Sequence, residues 1–497
     1  MKHNNPIIAE MFEPEHFNHY GHELIDLLTK DLSKSMSGKK DVISWQNPEA
    51  ADQSWQDPIP SDPSLDHQSL LKVIQSEILE KNLAIHHPRN LGHQVAPPLP
   101  IAALCDLVAA ITNQAMAVYE AGPSATLIER QVIRWLCQLI DFEQSKWHKA
   151  SGILTSGGAQ ANLTALLAAR QVSASRCNAP WNIWKEGLDH QQLCILTSAH
   201  AHYSISRAAG IMGLGTDAVI KIPTDKKGRM QIDALEKAHQ RCREQNKMII
   251  AVVASAGCTP TGSIDRLDLI GEYCQKHELW FHVDGAHGAS ALLSSKHRKS
   301  LNGISLADSV IWDGHKLLYM PATVSAVLFK NNQHSYAAFA QEASYLFQGN
   351  EPLDESFNTS YRTLECTKRM MGLKLWVSFS LYGTKALGEL IDEAFHKAQM
   401  LANKISKQAD FELLMTPQTN IVCFRYQPPH IKEDKLNTYQ SMIRKHLVES
   451  GTFHLTQVEL AEKIWLRTTL MNPFTAESDL DGLIKAIQSY DVSSKAA

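Results

Sequence analysis

Apolar and polar positions along this chain follow two different periods. Between residues 97 and 383, short apolar runs recur: "LCILTSAH", "AVIKIP", "MIIAVVASAG", "LWFHVDG", "DSVIWDG" and "VSAVLFK". Such runs have no polar face, which is the pattern of strands covered on both sides. The stretches between them carry helical periodicity. Strands alternating with helices predict a largely parallel sheet with helices on both faces. Upstream, "HFNHYGHELIDLLTKDLSKSM" reads as a helix and "WQNPEAADQSWQDPIPSDPS" as a linker. Downstream, "TKALGELIDEAFHKAQMLANKISKQ" reads as a long helix. It leads to "TNIVCFRYQP", a helix at 432–450 and "KIWLRTTLMNP", which predict a smaller α+β unit. The expected organisation is therefore a helical segment over 1–96, a large domain over 97–383 and a small domain over 384–497.

Composition narrows the class. A chain of 497 residues, 44% hydrophobic and 20% charged, is long enough for more than one globular core. A net charge of −4 with no basic stripe gives nucleic acid no footprint. The first residues are polar, without the apolar core of a signal peptide, and no apolar run reaches membrane-spanning length. The nine cysteines are dispersed and never form C-x-x-C, which suits a reducing cytoplasm.

The chemistry collects at the ends of the apolar runs, where open α/β sheets bind ligands. In "ILTSGGAQANLTALLAAR", Gly157 and Gly158 precede a helix that starts near Ala159. Backbone N–H groups at such a start attract an anion such as phosphate, although the same turn also caps ordinary helices. "LTSAHAHYS" offers His200 and His202; no third ligand accompanies them, so a metal is not expected. "ASAGCTPTG" offers Cys258 and Thr259, the cysteine without a cationic partner and so read as packing. "HVDGAHG" places Asp284 after an apolar strand, where a carboxylate needs a cation. "VIWDGHKLL" places Lys316 similarly, where a lysine can form a Schiff base. A phosphate cradle, a flat imidazole, a strand-end acid and a strand-end lysine together describe a site for pyridoxal 5′-phosphate.

At this point the sequence resembles the group II pyridoxal-phosphate-dependent amino-acid decarboxylases. The matching segments run in order from "HHPR" through "YEAGPSATLIE", "TSGGAQANL", "AHYSISRAAG", "HVDGAHG", "DGHK", "SYLFQ" and "KLWVSFSLYG" to "WLRTTLMNP". The resemblance implies the fold type I architecture of the aspartate aminotransferase superfamily and a homodimer with shared active sites. In that arrangement the N-terminal helical segment packs on the partner. The resemblance makes Lys316 the Schiff-base lysine, Asp284 the partner of the pyridine nitrogen, and His202 the residue stacked on the ring. Gly158 and Ala159 would hold the phosphate, with His315 alongside, and Thr259 and Ala286 would touch the ring. His93, Gln94 and Arg467 would face the substrate, and "MAVYE" would lie near the partner's pocket. Three departures stand out: Asp313 where many relatives carry asparagine, "GAQAN" without the acid of "G-S-E-A-N", and Leu353 where glutamate-type relatives carry the loop tyrosine. Tyr345 is then the expected proton donor to Cα.

The implied reaction is α-decarboxylation of an L-amino acid to its amine and CO2. Rival readings are an aminotransferase or carbon–carbon lyase of the same fold, and a catalytically silent protein, which would need neither Lys316 nor Asp284. An aromatic substrate needs an apolar slab, whereas the matched positions are His93, Gln94 and, from the partner, Gln114 and Ala117. Polar groups left unpaired there would cost about 1–3 kcal/mol each. The expected substrate is therefore polar and aliphatic: glutamate, aspartate, cysteine sulfinate or 2,4-diaminobutyrate.

Overall fold

The computed structural model describes residues 5–142, 150–177, 180–188, 192–339 and 356–490. After a short helix over Pro6–Met11 comes α1 (Pro14–Met36), and α2 (Pro100–Thr112) follows the linker; both begin on proline, which costs a first-turn residue no hydrogen bond. Then come β1 (Ser151–Thr155), α3 (Gly158–Arg176), β2 (Leu193–Ser198), β3 (Val219–Ile222), β4 (Met248–Ser255), β5 (Phe281–Asp284), β6 (Ser309–Asp313) and β7 (Ser325–Phe329). Helix α4 (Gly372–Ile405) is interrupted at Gly383, whose φ of 68° leaves the helical region. The chain ends with β8 (Phe411–Leu413), β9 (Ile421–Tyr426), α5 (Glu433–Glu449), β10 (Thr456–Leu460), β11 (Lys463–Thr469) and α6 (Glu477–Gln488).

The large sheet has the order β1-β7-β6-β5-β4-β2-β3. Strands β3, β2, β4, β5 and β6 run parallel to one another, and β7 pairs antiparallel with both β6 and β1. All residues of β2, β6 and β7 are buried, which accounts for their unbroken apolar runs. Helix α3 packs on this sheet through Ala161, Ala165, Ala168 and Ala169, all fully buried. Their small side chains let the helix axis come near the strands, so the helix start is held firmly at the sheet edge. The register aligns the strand ends: Ser255 pairs with Asp284, Asp284 with Ile311, and Asp313 with Ser325. The carboxylates of Asp284 and Asp313 therefore emerge at one edge.

The six apolar runs of the large domain all form strands, as do the two downstream ones. Strand β1 was not among those runs, because its five residues run directly into the glycine turn. Two compact units emerge: Met1–His93 with Lys404–Glu412 and Phe424–Ala497, and Gln94–Asn403 with Leu413–Cys423. The division differs from boundaries at 96 and 383. Backbone bonds from Leu91 N to His454 O (2.8 Å) and from Thr469 N to Leu91 O (2.7 Å) tie the N-terminal segment into the smaller unit. A second sheet has the order β10-β11-β9-β8, with Thr456 of β10 opposite Arg467 of β11.

Candidate active site

At the aligned strand ends the larger unit encloses a cavity of about 280 Å³. Its lining includes Gly157, Gly158, Ala159, His202, Thr259, Asp284, Ala286, His315 and Lys316, residues drawn from five separate stretches of sequence. One wall is the start of α3. Its N-cap is Gly157 and no side chain caps it, so the first N–H groups have no intrahelical partner. Crowding on the other side of this start is tight: a Cβ at Gly158 would stand 2.9 Å from both carboxylate oxygens of Asp313. Gly288 answers a different need, since a Cβ there would meet Ala256 O at 2.4 Å. Without the second glycine of "VDGAHG", the segment after β5 could not pack against the end of β4.

Asp284 is held by a chain of polar groups running into the core. Asn162 Nδ2 donates to Asp284 Oδ2 at 3.1 Å, and Ala286 N donates to Oδ1 at 3.2 Å. The second Asn162 Nδ2 hydrogen goes to Ser204 Oγ (2.9 Å), and Ser204 Oγ lies 2.8 Å from His202 Nδ1. On its other side, Asn162 Oδ1 lies 2.8 Å from His282 Nε2. His282 Nδ1 meets Ser309 Oγ at 2.8 Å, and Trp280 Nε1 donates to that same oxygen at 3.0 Å. Donor capacity orders the chain: Asn162 Oδ1 can only accept, so His282 carries its proton on Nε2 and accepts at Nδ1 from Ser309. Burial pushes the His282 pKa down to about 4, so the ring is neutral at pH 7 despite the Asp284 charge. His202, accepting at Nδ1, keeps Nε2 for a ligand; burial lowers its pKa against the opposing pull of Asp284.

Lys316 Nζ sits 3.0 Å from Asp313 Oδ2, and His315 Nε2 lies 3.6 Å from the same oxygen. His315 Nδ1 lies 2.9 Å from Val324 O, which it reaches as a donor. Cys258 also lines the cavity, its sulfur 3.1 Å from both Thr261 Oγ1 and Ser263 Oγ, as a buried packing residue. His200 does not line it, and no group of three or more potential metal ligands occurs among the described residues.

The expected substrate residues are distributed differently. Gln94 belongs to the larger unit, and its buried Nε2 has no hydrogen-bond partner among the described residues. His93 and Arg467 belong to the smaller unit. There the His93 ring stands 5.3 Å from that of His454, and partial desolvation followed by the charges of Arg467 and Arg444 lowers its pKa. Arg467 is buried and its Nη1 donates to Thr456 Oγ1 at 3.2 Å. Gln114 Nε2 donates to Thr112 O, and Ala117 is buried. Tyr345 and Leu353 lie outside the described residues.

Comparison with known proteins agrees with this geometry. The profile of the pyridoxal-dependent decarboxylase conserved domain matches residues 59–427. This chain belongs to that family. Among its relatives, the acidic amino acid decarboxylase GADL1 of Mus musculus is 31% identical over 93% of this chain and 84% of its own length. The L-2,4-diaminobutyrate decarboxylase of Acinetobacter baumannii is 29% identical over 84% of this chain and 83% of its own. The crystal structure of mouse CSAD superposes with a TM-score of 0.87 at 28% identity, covering 96% of this chain and 99% of that one. The protein is a carboxy-lyase of fold type I that uses pyridoxal phosphate to decarboxylate an amino acid.

The cavity fits that cofactor. It offers uncapped N–H donors at the start of α3 for a phosphate, a carboxylate braced by Asn162 and Ala286 for a pyridinium, and a lysine amine on the same wall. Asn162 and His282 were not singled out from the sequence. Asn162 was within reach, since it follows Gly158 by one helical turn on the same face. The pairing of Asn162 with His282 is a tertiary fact with no local signal.

Proposed function

We propose that Lys316 carries the cofactor covalently, that Gly158 and Ala159 bind its phosphate with His315 alongside, and that Thr259, Ala286 and His202 enclose its ring. Asp284 holds the proton on the pyridine nitrogen, and Asn162 keeps that carboxylate aimed. Bound pyridoxal phosphate supplies an electron sink for the pair left behind when CO2 departs from Cα. His202 presents Nε2 to the incoming carboxylate from a ring whose orientation is set by Ser204. Tyr345 returns a proton to Cα, and Arg467 takes a substrate carboxylate. The observation that carries this reading is the convergence of Lys316, Asp284, His202 and the start of α3 on one cavity.

For the substrate we propose a polar aliphatic L-amino acid, with glutamate, aspartate and cysteine sulfinate ahead of 2,4-diaminobutyrate. The His93 ring lies in the positive field of Arg467 and Arg444, which favours an anionic side chain. The unpaired amide of Gln94 disfavours an apolar ring. A screen of CO2 release across the L-amino acids tests this. Acidic substrates are expected to lead; preference for tyrosine, tryptophan or dihydroxyphenylalanine would overturn the reading.

We further propose a cytoplasmic homodimer in which α1 and "MAVYE" meet the partner. Leu104, Leu107, Val108 and Ile111 of α2, and Ile7, Met11, Phe12 and Phe17 near the N-terminus, are exposed apolar side chains that a partner would cover. No disulfide joins the described cysteines, in keeping with a reducing compartment. Among the described residues no helix is long and apolar enough to cross a membrane.

A further inference from the structure

Asp313 plays no part in the roles above, yet its side chain is 2% exposed and faces two of them. Its Oδ2 holds Lys316 Nζ at 3.0 Å, and its Oδ1 accepts from Ser325 Oγ at 2.5 Å. Both oxygens point at the start of α3, 2.9 Å from where a Gly158 Cβ would stand. One buried carboxylate therefore engages the amine that must react with the cofactor and borders the N–H groups that must receive its phosphate.

We propose that Asp313 is a positioning residue that weakens cofactor capture, so that occupancy of the enzyme follows the concentration of free pyridoxal phosphate. This rests on placing the phosphate at Gly158 and Ala159. Two effects act in the same direction. Lys316 must leave its carboxylate and give up a proton to solvent before its amine adds to the aldehyde, forming the C=N bond with loss of one water. That departure leaves a buried carboxylate short of its cation. A phosphate monoester then brings nearly two negative charges to the helix start that Asp313 already faces, and like charges in a low-dielectric site repel. When a substrate enters as its ammonium and its nitrogen replaces that of Lys316, the proton it gives up would pass to the freed lysine amine, and the same carboxylate would receive the resulting ammonium.

The test is equilibrium titration of the full-length apoprotein with pyridoxal phosphate and with pyridoxal, followed by absorbance and tryptophan fluorescence. Asp313→Asn is expected to tighten pyridoxal phosphate about tenfold, and pyridoxal by less. Ser325→Ala retains the charge and removes only a donor, so it is expected to give no tightening. The proposal is overturned if Asp313→Asn binds the phosphate ester no better than wild type. It is equally overturned if pyridoxal gains as much, or if Ser325→Ala gives the same gain. Gly158→Ala separates the underlying reading. If it weakens the ester and pyridoxal equally, the phosphate placement falls and this proposal with it. If it weakens the ester selectively while Asp313→Asn changes nothing, the proposal alone falls.

Discussion

Asn162 donates to Asp284 across 3.1 Å, joining the first turns of α3 to the end of β5. Those two elements supply, respectively, the helix start proposed to bind the phosphate and the carboxylate proposed to hold the pyridine nitrogen. Because the same amide also reaches Ser204 and His282, one side chain sets the geometry of three others. Hydrogen bonds to a charged group are worth about 1.5–3 kcal/mol. Asn162→Ala is expected to weaken cofactor binding by about 10- to 100-fold. Titration of the apoprotein measures this, and unchanged affinity would remove Asn162 from the site.

Lys316→Ala is expected to abolish turnover, by about a thousandfold or more, while the fold persists. The Lys316 side chain is partly exposed in the cavity, so its loss leaves no large void. Borohydride should fix the cofactor to the wild-type chain at this residue, and mass spectrometry of the tryptic peptide reads the position. Attachment elsewhere would show that the wrong lysine has been chosen.

Asp284→Asn preserves shape and removes the charge that favours a protonated pyridine. Turnover is expected to fall by about two to three orders of magnitude, chiefly in kcat, since the electron sink weakens rather than the binding. The absorbance of the bound cofactor should shift with it. Near wild-type kcat would contradict the assignment.

Stability should fall on mild acidification. Burial holds His282, His334 and His454 at about 4, below the ordinary imidazole value of 6.5. Groups depressed in this way contribute fully above 6.5, and the contribution is lost as pH falls from 6.5 toward 4. Asp265 has the opposite sign: burial pushes it up to about 6 from 3.8, so its contribution is complete below 3.8 and lost as pH rises through 6. Three groups outweigh one, and the melting temperature is expected to drop between pH 7 and pH 5. His282→Asn should reduce that slope; a flat profile for the wild type would contradict the burial of these rings.

Much of the larger unit was legible in the linear pattern. Unbroken apolar runs ending in Asp284 and Asp313 announce strands buried on both faces, because a residue facing solvent would have interrupted them. Glycines at 157 and 158 before a helical period announce a turn with free N–H groups, and a lysine after a strand announces an amine at a sheet edge. These are local consequences of residue type and spacing, and they are enough to indicate the cofactor. The short strands β8 and β10 left no comparable run, and the grouping of residues 1–93 with the C-terminal strands depends on backbone bonds between distant segments.

What the tertiary structure decided is which groups meet. Asp313 and Lys316 are three residues apart, but nothing in "DGHK" shows that the carboxylate turns toward both the lysine amine and the start of α3. That follows from β6 and β7 pairing so that Ser325 lies opposite Asp313 and holds its carboxylate. Likewise "FHVDG" displays a histidine beside an acid without showing that His282 is neutral, because its neutrality comes from complete burial against Asn162 and Ser309. Residue type and spacing determine which chemistry is present. Proton placement and charge pairing depend on burial and on partners about 120 residues away in the chain, and only the folded chain brings those together.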